Sequence, residues 1–183
     1  MKKRYLYNQK NKSELVNKIQ IEKFNRKTCS FYKYVNLSNL AEYRDSLYLE
    51  WSNLEILGRV YIAKEGMNAQ VSIPEHNFKT FINSIKQKKE FNNIKIKEAI
   101  EEGTSFLKLV IKIKKEIVSY QIPSDEYNIG TVGKHLDYKE FNKAIEQGAT
   151  IIDMRNYYEG EVGKFENAIV PDVDTSRHLL PEV

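Results

Sequence analysis

Residues 59–73 constrain the fold more than any other stretch. Two runs of aromatic, aliphatic and β-branched residues, Arg59 to Ala63 and Ala69 to Ile73, flank Lys64-Glu65-Gly66-Met67-Asn68. Such runs around a short glycine-bearing turn read as a β-hairpin, with Gly66 the natural residue for a positive φ. The flanks extend the pattern. Ser30 to Val35 alternates aromatic and polar residues and reads as a strand. Asn39 opens a helix, with Glu42 as its capping-box partner and Leu40, Tyr43, Leu47, Trp51 and Leu54 on one face. Gly58 is expected to stop it. A second helix starts around Pro74, bracketed by Ser72 and Glu75, and carries Phe78, Phe81, Ile82 and Ile85. Ile94 to Ala99 and Phe106 to Val118 supply further strands, with Leu109, Ile111 and Ile113 facing one way and Lys112 and Lys114 the other. Strand, helix, strand, strand, helix, strand is the order of a ferredoxin-like α+β sandwich, placed at residues 29–118.

The 183 residues suffice for one large or two small domains. At 41% hydrophobic and 30% charged, the composition is that of a globular protein. No apolar run approaches the roughly 20 residues of a membrane helix, and the basic start MKKRYLYNQK lacks the apolar core of a signal peptide. A single cysteine, Cys29, permits no intramolecular disulfide, so the cytoplasm is the expected compartment. A formal net charge of +4 is compatible with nucleic acid without demanding it. Residues 1–28 form a basic lead-in. Leu15, Val16 and Ile19 give it a weak helical stripe, and both a solvated segment and an arm touching phosphates are consistent with it.

Residues 119–134, with Pro123, Gly130 and Gly133, read as a linker. A third helix follows, with Asp137 as N-cap, Glu140 completing a capping box, and Gly148 closing it. Ile151 and Ile152 then read as a buried strand that delivers Asp153 and Arg155 to one face, where a bidentate pair can form or cap nearby backbone. His76, His135 and His178 are dispersed without metal-ligand spacing, so no metal is expected. Cys29 sits at a strand edge and reads as a small apolar residue rather than a nucleophile.

The segment TIIDMRNYYEGEVGKFENAI follows the pattern D-M-R-x-x-x-E-x-x-x-G-x-F-x-x-A-I, which resembles the opening motif of the rhodanese fold. Lys164 stands where that motif usually carries His. With GRVYIAKEGMNAQVSIPEHNF earlier in the chain, the whole resembles the N-terminal portion of the rhodanese-domain, oxygen-dependent tRNA uridine hydroxylases. The resemblance implies a ferredoxin-like domain followed by the first half of an α/β rhodanese-like domain at residues 135–183. It implies 5-hydroxylation of the wobble uridine of tRNA with molecular oxygen as co-substrate, other cofactors being open. It places the family's catalytic cysteine beyond Val183, so residues 1–183 alone are expected to be inactive, and Ile151, Ile152 and Ile169 are expected to lack cover.

Within that resemblance, Asp153, Arg155, Glu159, Asp172, Asp174 and Arg177 shape the rhodanese-like site, with an architectural role favoured over a chemical one. Arg59, Lys64 and Asn68 around the hairpin are candidate RNA contacts. Tyr32, Tyr34 and Tyr61 suit either stacking on unpaired bases or core packing. The expected partner is tRNA, with neither membrane nor DNA, and the oligomeric state is open. Two other functions compete: rhodanese-type sulfur transfer, and a non-catalytic RNA-binding or interaction module.

Overall fold

The computed structural model describes residues 6–100, 105–118 and 133–182, together with 122, 126, 128, 130 and 131. The chain divides into two compact units, residues 1–117 and 118–183. The first contains α1 (Lys12–Gln20), β1 (Arg26–Tyr34), α2 (Leu40–Asn53), β2 (Leu57–Ala63), β3 (Gly66–Pro74), α3 (Glu75–Gln87), β4 (Lys97–Glu98) and β5 (Leu109–Ile113). They build one sheet in the order β4-β1-β3-β2-β5. All neighbours are antiparallel except β2 and β5. The first four strands and their two helices have the expected ferredoxin-like order, and β5 adds a parallel edge beyond β2.

Side-chain alternation divides the sheet into two faces. Phe31, Val60, Ile62, Met67, Val71 and Ile73 point to one side and share a core with Leu47 and Trp51 of α2 and Phe81 and Ile85 of α3. Phe31, Trp51 and Phe81 meet at ring separations of 5.5–6.4 Å, pairings worth about 0.5–1.5 kcal/mol each beyond area burial. Both helices therefore lie on the same side of the sheet.

The hairpin is tighter than its sequence suggests. Pairing runs from Leu57–Ser72 to Ala63–Gly66 and leaves only Lys64 and Glu65 as the loop. Gly66 opens β3 with φ +146°, and a Cβ there would stand 2.0 Å from the Lys33 carbonyl oxygen. The loop backbone also receives the segment after β1: Val35 N–H donates to the Glu65 carbonyl (2.9 Å) and Leu37 N–H to the Lys64 carbonyl (2.8 Å). Glu65 is buried, and its carboxylate accepts from Ile117 N–H at 2.7 Å.

Several boundaries differ from the sequence reading. Gly58 does not stop α2, which ends at Asn53 with Glu55 taking the left-handed turn at φ 54°. Gly58 lies inside β2 at φ +151°, with the Gln70 carbonyl 2.4 Å from where a Cβ would be. Asn39 does precede α2, but its backbone is left-handed (φ 49°) and its side chain makes no cap bond; side-chain capping needs the extended conformation. The strands expected at 94–99 and 106–118 shrink to Lys97–Glu98 and Leu109–Ile113. Phe91 and Ile94 are buried from a 3-10 turn and the segment after it, which leaves fewer residues for pairing.

The lead-in holds more structure than one weak stripe implies. Asn11 and Glu14 form a complete capping box on α1, and Leu15 is buried. Glu22 grips Arg26 at 2.7 and 2.8 Å, and Arg26 donates onward to the carbonyls of Glu55 and Ser72. Arg44, buried in α2, donates from Nε to the Ile111 carbonyl at 3.2 Å, also bonds the Leu6 carbonyl, and lies over the Tyr48 ring.

The second unit has α4 (Tyr138–Glu146), α5 (Tyr157–Val162) and α6 (Leu179–Glu182). The capping box on α4 forms as expected from Asp137 and Glu140. Its end is a Schellman motif: Gly148 N–H donates to Ile145 and Ala149 N–H to Ala144, with Gly148 at φ +89°. The strand expected at Ile151–Ile152 is reduced to an isolated parallel bridge between Ile152 and Ile169. No residue of α4 is buried, and Ile152 (41%), Ile169 (55%), Phe165 (57%) and Val162 (92%) are exposed. No described helix is long and apolar enough to cross a membrane.

Gly66→Ala should destabilise the first unit by roughly 1–3 kcal/mol, because the added methyl group meets backbone at a φ that L-residues avoid. Urea unfolding followed by tryptophan fluorescence measures this, and an unchanged midpoint would contradict the close approach.

Candidate functional site

The second unit presents Asp153 and Arg155 at the end of a short backbone pairing. Ile169 N–H donates to Ile151 (2.9 Å), and Asp153 N–H donates to Ile169 (2.8 Å). Arg155 Nε lies 2.8 and 3.1 Å from the two Asp153 oxygens, and Nη2 lies 2.5 Å from Oδ2. Nη2 also donates to the Gly163 carbonyl at 2.7 Å, and Asp153 accepts from Arg155 N–H at 3.2 Å. The guanidinium thus ties the strand end to the loop after α5. The Arg155 side chain is nearly half exposed, so the pair contributes little net stability. What it supplies is fixed geometry.

The same residues line a groove of 610 Å³ together with Phe141, Ile151, Ile152, Met154 and Phe165. Phe141 and Phe165 pair at 5.0 Å. The groove is an apolar trough with one salt-bridged polar wall. The Arg155 hydrogen bond holds the Asp153 carboxyl below the usual carboxylate range, and Lys164 adds to the effect. A carboxylate so held is a weak proton acceptor at neutral pH.

The other residues singled out in the sequence of this unit are not brought into this pair. Glu159 caps α5, its carboxylate accepting weakly from Asn156 N–H at 3.4 Å. Asp172, Asp174 and Arg177 are exposed on the segment that leads to α6. Among the described residues, no ion pair joins them to Asp153 or Arg155.

In the first unit, Arg59 and Asn68 lie on the sheet face opposite the helices, and Lys64 is exposed in the hairpin loop. Asn68 is partly covered, its amide 3.5 Å from the Ile117 carbonyl. Lys114, which the sequence reading did not assign, lies 5.3 Å from the centre of the Tyr61 ring. The lysine alternation after Leu109 was the available signal for it. Cys29 is 1% exposed, and burial, with Glu98 beside it, pushes its thiol up to about 12. That opposes the thiolate a nucleophile requires.

Two measurements check this picture. In a carboxyl NMR titration Asp153 should titrate below about 3.9, and Arg155→Ala should return it toward that value. A carboxyl whose folded value is depressed favours the folded state above its unfolded value, and that contribution disappears as pH falls through the folded value. An ordinary wild-type midpoint would refute the pair. Cys29 should resist a thiol reagent at about pH 8 in the folded chain and react on unfolding; rapid labelling of native protein would contradict its burial.

Residues 26–117 match the family model described as UPF0176 acylphosphatase like domain. A protein of Leptospira interrogans serogroup Icterohaemorrhagiae serovar Lai named tRNA uridine(34) hydroxylase is 47% identical over 98% of this chain and 49% of its own length. Proteins of the same name from Hamiltonella defensa and Photorhabdus laumondii are 40% and 39% identical, over 96% and 97% of this chain and 50% and 51% of theirs. The chain spans about half the length of these curated relatives. The matched residues begin with β1 and take in the whole βαββαβ core and β5, and the likeness continues through the Asp153–Arg155 segment, so the chain belongs to the UPF0176 family, as a partial counterpart of proteins named tRNA uridine(34) hydroxylase.

Proposed function

We propose that this chain is the front portion of an oxygen-dependent tRNA hydroxylase that places a hydroxyl group on carbon 5 of the wobble uridine, in the cytoplasm. The observation that carries this reading is the likeness to tRNA uridine(34) hydroxylases across nearly the whole chain, both units included. Residues 1–28 lead into a ferredoxin-like domain at 29–118 and residues 135–183 form the opening of a rhodanese-like domain, while the linker expected at 119–134 falls largely outside the described residues. The uncovered apolar side chains of that last unit support this division, since Ile152, Phe165 and Ile169 need further protein to bury them.

In this reading Arg155 and Asp153 hold the strand end in place. Glu159 fixes the start of α5. Asp172, Asp174 and Arg177 border the mouth of the site, and Arg59, Lys64 and Asn68 contact tRNA. The reactive cysteine is supplied by sequence other than residues 1–183, because Cys29 is buried with its thiol pushed up. Residues 1–183 alone therefore bind RNA without modifying it.

Deleting the gene should remove 5-hydroxyuridine-derived nucleosides from bulk tRNA, read by mass spectrometry of digested nucleosides. Unchanged levels would reject the assignment. Loss of 2-thiouridine alone would instead point to sulfur transfer.

A further inference from the structure

The sheet face opposite the helices carries a pattern that neither the Asp153 groove nor the hairpin loop accounts for. Cross-strand register places Tyr32 beside Asn68, Asn68 beside Tyr61, and Tyr61 beside Lys112. Three strand spacings separate the ends of this row, about 14 Å. The next row runs Lys97, Ser30, Gln70, Arg59 and Val110. Tyr32 is 60% exposed and meets Tyr34 edge-on at 6.4 Å. Lys114 lies over Tyr61 at the far end.

Two features distinguish this face from ordinary solvated sheet. The Tyr32 ring stands in water in mid-strand with Tyr34 edge-on beside it, whereas neighbouring Phe31 is 3% exposed on the other face. The charge is also one-sided. Arg59, Lys97 and Lys112 are exposed here, and no described strand position on this face carries a carboxylate. Cations around a flat aromatic surface suit a ligand that has phosphates and unstacked bases together. Duplex RNA offers the phosphates but hides its bases.

We propose that this face binds single-stranded RNA, with an unpaired base stacked on Tyr32 and the backbone led along Arg59, Lys97 and Lys112. The inference rests on the proposed tRNA function for the identity of the RNA, an anticodon loop, and on the sheet geometry for the mode of binding. Tyr34 lines the approach to Tyr32. Lys64 lies at the loop end and guides phosphates.

Fluorescence anisotropy on the 183-residue chain tests this with two labelled probes, oligouridine and an RNA duplex of equal length. Tyr32→Ala should weaken oligouridine binding about tenfold or more, with duplex binding changed less than twofold. Tyr32→Phe should retain binding, since it keeps the ring. Lys112→Gln should weaken both probes and reduce the salt slope for oligouridine by about 0.7. Undiminished oligouridine binding by Tyr32→Ala, with the fold verified by thermal melting, overturns the proposal. So does an equal loss for both probes, which would make the face a phosphate surface only. An anticodon stem-loop carrying uridine at the wobble position then competes with oligouridine. Failure of the gene deletion to alter tRNA would remove the anticodon assignment and leave the single-strand platform standing.

Discussion

Two missing methyl groups set the geometry of the first unit. At Gly66 the Lys33 carbonyl occupies the space a Cβ would need, and at Gly58 the Gln70 carbonyl does the same. Both contacts are backbone against backbone, so no side-chain rotation could relieve a substitution. The first brings β1 close to β3, and the second brings β2 close from the other side. With β3 so flanked, the pairing register of three strands is determined together, and a slip by one residue would turn every side chain to the wrong face. Phe31, Val60 and Val71 meet α2 and α3 for this reason, and Tyr32, Asn68 and Tyr61 form a row on the opposite side.

Much of the first unit was legible because its signals are periodic. Leu47 and Trp51 on α2 and Phe81 and Ile85 on α3 are buried as helical spacing requires, and the βαββαβ order follows. The errors fall where tertiary demand overrides a local cue. Glycine after a helical stripe usually marks a cap, yet Gly58 serves a strand contact that is invisible without its partner. Asn39 and Glu42 have capping-box spacing, but the chain enters α2 in a left-handed turn that points the asparagine elsewhere. Arg44 gave no signal, because a charged residue in a helix normally implies solvent and only the neighbouring strand reveals its use.

The tyrosines show a different limit. In sequence, Tyr32 and Tyr61 fit core and surface equally, since aromatic residues favour strands on either face. Register with buried Cys29 and Phe31 decides the matter for Tyr32. In the second unit the spacing of Asp153 and Arg155 was readable, and so was their bidentate contact. The reduction of that strand to a single bridge was not, because Ile151–Ile152 has the composition of a strand and pairs, among the described residues, with Ile169 alone. That unit holds its polar wall by charge-assisted hydrogen bonds while its apolar floor lies open.

Arg44 has a consequence at the rim of the sheet. An outer strand displays unpaired carbonyl and amide groups, and these invite a foreign strand to continue the ladder. Here the β5 rim is blocked at its middle, where the Arg44 guanidinium occupies the Ile111 carbonyl. The opposite rim is β4, only two residues long. Among the described residues both borders are thus interrupted, one by a side chain and the other by its short length, which leaves little ladder for another chain to extend.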